Sequence, residues 1–115
     1  MYPQIILALC IFWGYKKYMK TPRRFSFDPA KSAKNVAERD IDFAIAGTFD
    51  FGSAVVATDD RKNYGEVREV ATGFIGQRLH VLVFTMRGET CHVISLRKAN
   101  KREATAYVQN IERSL

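Results

Sequence analysis

The sequence predicts one α+β domain made of two N-terminal helices, a four-stranded antiparallel sheet and a C-terminal helix. Three observations predict it. Apolar residues recur at helical spacing in two stretches before Gly52 and in one after Asn100. The segment between them is rich in β-branched and apolar residues, in short runs broken by polar turns. Two of those breaks, Gly76-Gln77 and Arg87-Gly88, are tight enough to join antiparallel neighbours. Helices and strands that segregate along a chain build α+β architecture. At 115 residues the chain is one domain, large enough to bury a core without a disulfide or a metal.

The elements follow in order. Ile5 to Trp13 is a continuous apolar run, with Lys16, Lys17 and Lys20 behind it. A bilayer-spanning helix needs about 20 apolar residues, so this run is too short. A secretory signal would carry its positive charge ahead of the run. Residues 1–18 are therefore set apart as an extension, and the domain runs over 19–115. Three readings of the extension stay open: a membrane-surface anchor, an added apolar element, or a stretch upstream of a translation start at Met19. Phe25-Ser26-Phe27 alternates, as a short strand or a hydrophobic lead-in. Asp28 is an N-cap and Pro29 a first helical residue, opening a helix that ends near Arg39-Asp40. Its spacing turns Ala33, Val36 and Ala37 inward and Lys31, Lys34 and Glu38 outward. Asp42 caps a second short helix carrying Phe43, Ala46 and Phe49, which Gly52 ends.

The strands are Ser53–Thr58, Glu66–Ile75, Leu79–Met86 and Glu89–Leu96. The third is apolar on both faces apart from His80 and Thr85, which places it centrally. Asn100 and Glu103 have the form of a capping box. The helix behind them sets Ala104, Tyr107, Val108 and Ile111 on one stripe.

Charge and cysteine usage narrow the function. Lys and Arg total 18 against 12 Asp and Glu, a net charge of +6. Such an excess favours polyanions, with nucleic acid ahead of an acidic protein. Cys10 and Cys91 lie far apart, no CxxC pair occurs, and there are two histidines. That inventory predicts no metal site and no cofactor, and free thiols suit a reducing cytoplasm. Neither a phosphate-binding glycine loop nor a serine nucleophile elbow is present.

A series of words in this order resembles the BrnT family of type II toxins. They are Phe27-Asp28-Pro29-Ala30-Lys31 with Asn35, then Ile41-Asp42-Phe43, then Tyr64-Gly65-Glu66-Val67-Arg68. After these come Arg78 to Gly88, Val93-Ile94-Ser95-Leu96-Arg97-Lys98-Ala99, Arg102-Glu103 and Tyr107. The resemblance implies a RelE-like fold and an RNA-cutting activity on free or ribosome-linked RNA, without a metal. It implies an antitoxin of the BrnA type, whose ribbon-helix-helix part would reach operator DNA, so that the toxin meets DNA only through that complex. Two departures stand out. Glu38-Arg39-Asp40 replaces the family's common Lys-His-Gly, and His92 replaces a common Arg. Arg39 cannot act as a base where the family has histidine, because guanidinium does not deprotonate.

Metal-free RNA cleavage uses the 2′-OH as nucleophile. The protein removes its proton, stabilises the charged phosphorane and protonates the leaving oxygen. The candidates for those tasks are Glu66, Arg68, His92 and Arg97, with Lys31, Tyr64, Lys98 and Lys101 as RNA-binding residues. Glu66 and Arg68 alternate onto one face of one predicted strand. Each residue also has a plain structural reading: an exposed ion pair for Glu66 and Arg68, a packed strand histidine for His92, a solvated helix start for the basic cluster at Arg97 to Arg102. A toxin-like module that binds its antitoxin without cutting RNA is the rival function.

Overall fold

The computed structural model describes residues 19–60 and 63–113. The extension over residues 1–18, with its three readings, lies outside the described residues.

The chain forms β1 (Arg24–Phe27), α1 (Pro29–Arg39), a 3₁₀ helix (Phe43–Thr48), β2 (Val55–Asp59), β3 (Arg68–Ile75), β4 (Arg78–Arg87), β5 (Thr90–Lys98) and α2 (Lys101–Arg113). The strands make one sheet in the order β1-β5-β4-β3-β2. Strands β2 to β5 form the expected antiparallel meander. The sheet is nonetheless five-stranded and mixed, because β1 pairs in parallel with β5, Phe25 opposite Cys91 and Phe27 opposite Val93. The alternation of Phe25, Ser26 and Phe27 was compatible with a strand. Its partner 66 residues downstream is a long-range choice that no local pattern encodes.

The local signals at helix ends held. Asp28 accepts from the Ala30 N–H at 2.9 Å and Pro29 occupies the first turn. Asp40 ends α1 in the left-handed region at φ 60. Asp42 accepts from the Ala44 N–H at 2.8 Å, but the element it caps is a six-residue 3₁₀ helix and not an α-helix. Such helices stay short, and Gly47 within this one favours nothing longer. In α2, Glu103 N–H donates to Asn100 Oδ1 at 2.7 Å and Asn100 N–H to Glu103 Oε1 at 2.9 Å, a complete capping box.

Two apolar clusters lie on opposite faces of the sheet. On one face Phe43, Ala46, Phe49 and Phe51 cover Ala71, Leu82, Phe84, Cys91, Val93 and Leu96, with Phe25, Phe27 and Met19 at the margin. Phe51 is fully buried and stacks edge-on against Phe49 and Phe84. Gly73 is required beneath Phe49: a Cβ there would stand 2.8 Å from the Phe49 ring. On the other face α2 lays Ala104, Tyr107 and Ile111 over Val55, Val70, Phe74, Leu79 and Val81. Val108, expected on that stripe, is half exposed instead.

Helix α1 reverses its expected orientation. Ser32 and Asn35 are its buried residues, while Ala33, Val36 and Ala37 face outward. The reason is the surface it covers. Strand β1 ends at Phe27, opposite Val93, so β5 beyond that point is a sheet edge with unpaired carbonyls. Asn35 Nδ2 donates to Leu96 O and to Ile41 O, both at 2.9 Å. Ser32 donates to Asp42 at 3.0 Å and accepts from Phe43 N–H. A helix that closes an edge needs polar groups on its inner side, whatever its apolar periodicity.

Candidate active site

Among the described residues, α2 covers only half of its face of the sheet. Cross-strand partners share a face, and the registers place one polar row across all five strands. Asp59 stands opposite Arg68. The β3–β4 register, with Glu69 opposite Phe84, brings Arg68 alongside Thr85. Thr85 stands opposite His92, and His92 opposite Ser26. One step further from α2, Arg87 stands opposite Thr90 and Thr90 opposite Arg24.

His92 is the centre of this row. Its Nδ1 lies 2.8 Å from Ser26 Oγ, which fixes the ring. Its pKa is held below the ordinary 6.5, first by partial burial, then by the positive field of Arg87. Glu66 opposes that shift, Lys31 adds to it, and Asp28 opposes it more weakly. The imidazole is thus biased toward its neutral, proton-accepting form at neutral pH, with four charged groups, on β4, on α1 and just before α1 and β3, acting on it.

The neighbours are organised as well. Glu66 Oε1 lies 3.5 Å from Arg87 Nη2. Thr85 Oγ1 donates to Val67 O at 2.6 Å and pins the chain entering β3. The Arg68 guanidinium sits 4.0 Å from the centroid of the Tyr64 ring. Its Nε–H is buried without a partner, a rare condition for a buried donor. Tyr64 OH donates to Asp59 at 3.3 Å.

The structure therefore brings Glu66, Arg68, Tyr64 and His92 to one end of the sheet, with Lys31 acting from α1. Glu66 does not lie on β3 as expected. It precedes the strand, and its ion-pair partner is Arg87 on β4 rather than Arg68. Arg97 is on the same face but at the end under α2. Its guanidinium makes two 2.7 Å bonds to the Glu103 carboxylate, whose pKa is lowered by them against the opposing effect of burial. Lys98 ends β5 and Lys101 begins α2, both exposed, and Lys98 stands opposite His80, at the other end of the strand from His92. Ser26, Thr85 and Arg87 were missed. Thr85 had a signal, as a hydroxyl inside an apolar strand. Arg87 read as a turn residue, and Ser26 becomes visible only once β1 is paired with β5.

A groove adjoins this cluster. Lys31, Lys34, Asn35, Glu38 and Arg39 of α1 line one wall, and Phe43, Ile94 and Ser95 complete it. Among the described residues no cluster of His, Cys, Asp and Glu could hold a metal, and no helix is long and apolar enough to cross a membrane. Cys91 is fully buried and its thiol is pushed up to about 12 by desolvation, which makes it inert at neutral pH.

A family model described as the ribonuclease toxin BrnT of type II toxin-antitoxin systems matches residues 27–103. Neither a curated protein nor a solved structure gives a match.

Proposed function

The chain belongs to the BrnT family of ribonuclease toxins of type II toxin-antitoxin systems, and from that premise we propose that it cuts RNA at the polar end of its sheet without a metal. The observation that carries this reading is the position of His92, ring-fixed by Ser26 and biased toward its neutral form by burial and by the charges of Arg87 and Lys31.

With Nδ1–H donating to Ser26, Nε2 offers a lone pair to the 2′-OH of a bound strand. His92 takes that proton, the 2′-oxygen attacks phosphorus, and the bond to the 5′-oxygen breaks. The products are a 2′,3′-cyclic phosphate and a 5′-hydroxyl. Arg87 and Arg68 stabilise the charge on the phosphorane, and Lys31 protonates the leaving oxygen. Glu66 holds Arg87 and restrains how far the His92 pKa falls. Arg97 belongs to the architecture in this reading, fastening α2 through Glu103.

A cognate antitoxin of the BrnA type, with a ribbon-helix-helix part that takes the complex to operator DNA, is the partner expected in the cytoplasm. The substrate is free or ribosome-linked RNA. Replacement of the family's common histidine by Arg39 favours a second reading, a toxin-like module that binds antitoxin without cutting.

Incubating the full chain with RNA in chelator, beside His92→Ala, separates the two. Cleavage with cyclic phosphate ends, lost in the variant, is the expected result. Intact RNA from both, with free RNA and with translating ribosomes, leaves the binding module.

A further inference from the structure

We propose that the groove between α1 and the free edge of β5 is a phosphate subsite for single-stranded RNA, continuous with the His92 cluster. The inference deepens the ribonuclease reading and rests on it for the identity of the ligand.

Three cations line the groove, Lys31, Lys34 and Arg39, against one carboxylate, Glu38. That carboxylate neutralises little. It reaches Lys34 at 4.0 Å with both side chains more than half exposed, so the pair is weak and yields to a competing anion. Arg39 is the organised member. Its Nη1 donates to Asn35 Oδ1 at 2.8 Å, and Asn35 is itself fixed by its bonds to Ile41 O and Leu96 O. One of five guanidinium donors is used in this way, and a planar fork on a rigid arm matches a phosphate.

The opposite wall is a consequence of strand pairing. The β4–β5 register breaks between Val83 and Phe84, which sets Ile94 as the extra residue beside Ser95. Both line the groove at the point where β1 has ended. Ser95 supplies a hydroxyl opposite Val83, two residues along β4 from Thr85, the partner of His92. Lys31 connects the two regions, since it lines the groove and its charge also acts on His92. A strand whose scissile phosphate lies at His92 continues past Ser95 to Lys34 and Arg39.

Among the described residues the groove has cations but no exposed ring. Phe43, its one aromatic, is buried at 3% exposure. It therefore reads the backbone charge and not the base, and its contribution to affinity is the same for every sequence.

The test is fluorescence anisotropy of a short labelled single-stranded RNA on the full chain carrying His92→Ala, so that nothing is cut, across a sodium chloride series. Replacing Lys34 and Arg39 together by Ala weakens binding roughly ten- to a hundredfold at low salt. It also flattens the plot of log affinity against log salt by about 0.7 for each contact removed. Arg39→Lys keeps the salt slope and loses affinity, because the charge stays and the fork goes. Should the double variant fail to fold by circular dichroism, Lys34→Glu, on a side chain 74% exposed, gives the same readings. Unchanged affinity and slope in the groove variants overturn the proposal, and that is also the outcome if the groove serves an acidic protein. Binding that depends on the groove in a chain whose wild type does not cut RNA keeps this inference and ends the ribonuclease reading.

Discussion

The two halves of one sheet face have opposite chemistry, although the same strands build both. Under α2 the face carries Val55, Phe74, Leu79 and Val81, sealed by Tyr107. At the other end it carries Asp59, Arg68, Thr85, His92 and Ser26 in one row. Each half holds an arginine on an outer position, and the two have different fates. Arg97 meets Glu103 at the margin of the helix and is bound by two short bonds. Arg68 is held over the Tyr64 ring and keeps a buried Nε–H without a partner. A helix decides which half becomes core. The half it leaves open keeps the polar groups that a packed face could not tolerate.

The widest separation between the halves is expected in activity. His92→Ala lowers RNA cleavage by about 10²- to 10⁴-fold, the range for a lost general base, while its melting temperature stays near the parent's. A variant that cuts normally would move the chemistry out of this row.

The covered half should answer in stability instead. Tyr107 packs edge-on against Phe74 with centroids 5.8 Å apart and donates to Ser53 O at 2.7 Å. Tyr107→Ala should cost about 3 kcal/mol in urea unfolding, from lost burial and a lost bond. Tyr107→Phe should recover all but about 1 kcal/mol of it.

Arg97→Ala sharpens the contrast between the arginines. It should cost about 1–2 kcal/mol in stability, since it strands a mostly buried carboxylate. Cleavage by the folded fraction should persist. A collapse of activity in a stably folded Arg97→Ala would return that residue to the active site.

The smallest effect is on pH dependence. Cleavage that needs neutral His92 falls as pH drops, with a midpoint below 6.5. Glu66→Gln removes a charge that raises the His92 pKa, so the acid limb moves further down. Arg87→Gln removes one that lowers it, so the limb moves up. Stability follows the same sign. A histidine whose folded pKa is depressed contributes its full share above the unfolded value near 6.5, and that share is lost as pH falls through the window below. An acid limb that ignores both substitutions would remove His92 as the titrating group.

Much of the fold was legible because it is written locally. The caps at Asp28, Asp42 and Asn100, the turns at Gly76 and Gly88, and the four antiparallel strands follow from residue chemistry within a few positions. The larger misreadings concern partners. Apolar periodicity in α1 pointed at Ala33 and Val36, and the helix instead buried Ser32 and Asn35, because its neighbour is a bare strand edge. Glu66 was assigned to a strand with Arg68, and it met Arg87 across the sheet.

The candidate site shows the same division. Residue types suited to phosphate chemistry were visible, and Glu66, Arg68 and His92 do converge. Ser26, Thr85 and Arg87 are ordinary residues until registers align them.

The sequence alone determined the class of fold, the positive charge, the helix caps and the family words. These depend on composition and on contacts close along the chain. Only the tertiary structure decided that β1 lies parallel beside β5, that α2 covers one half of a face, and that His92 stands between Ser26 and Arg87. Those facts depend on which distant segments exclude water from one another, and that is settled by the whole packed domain.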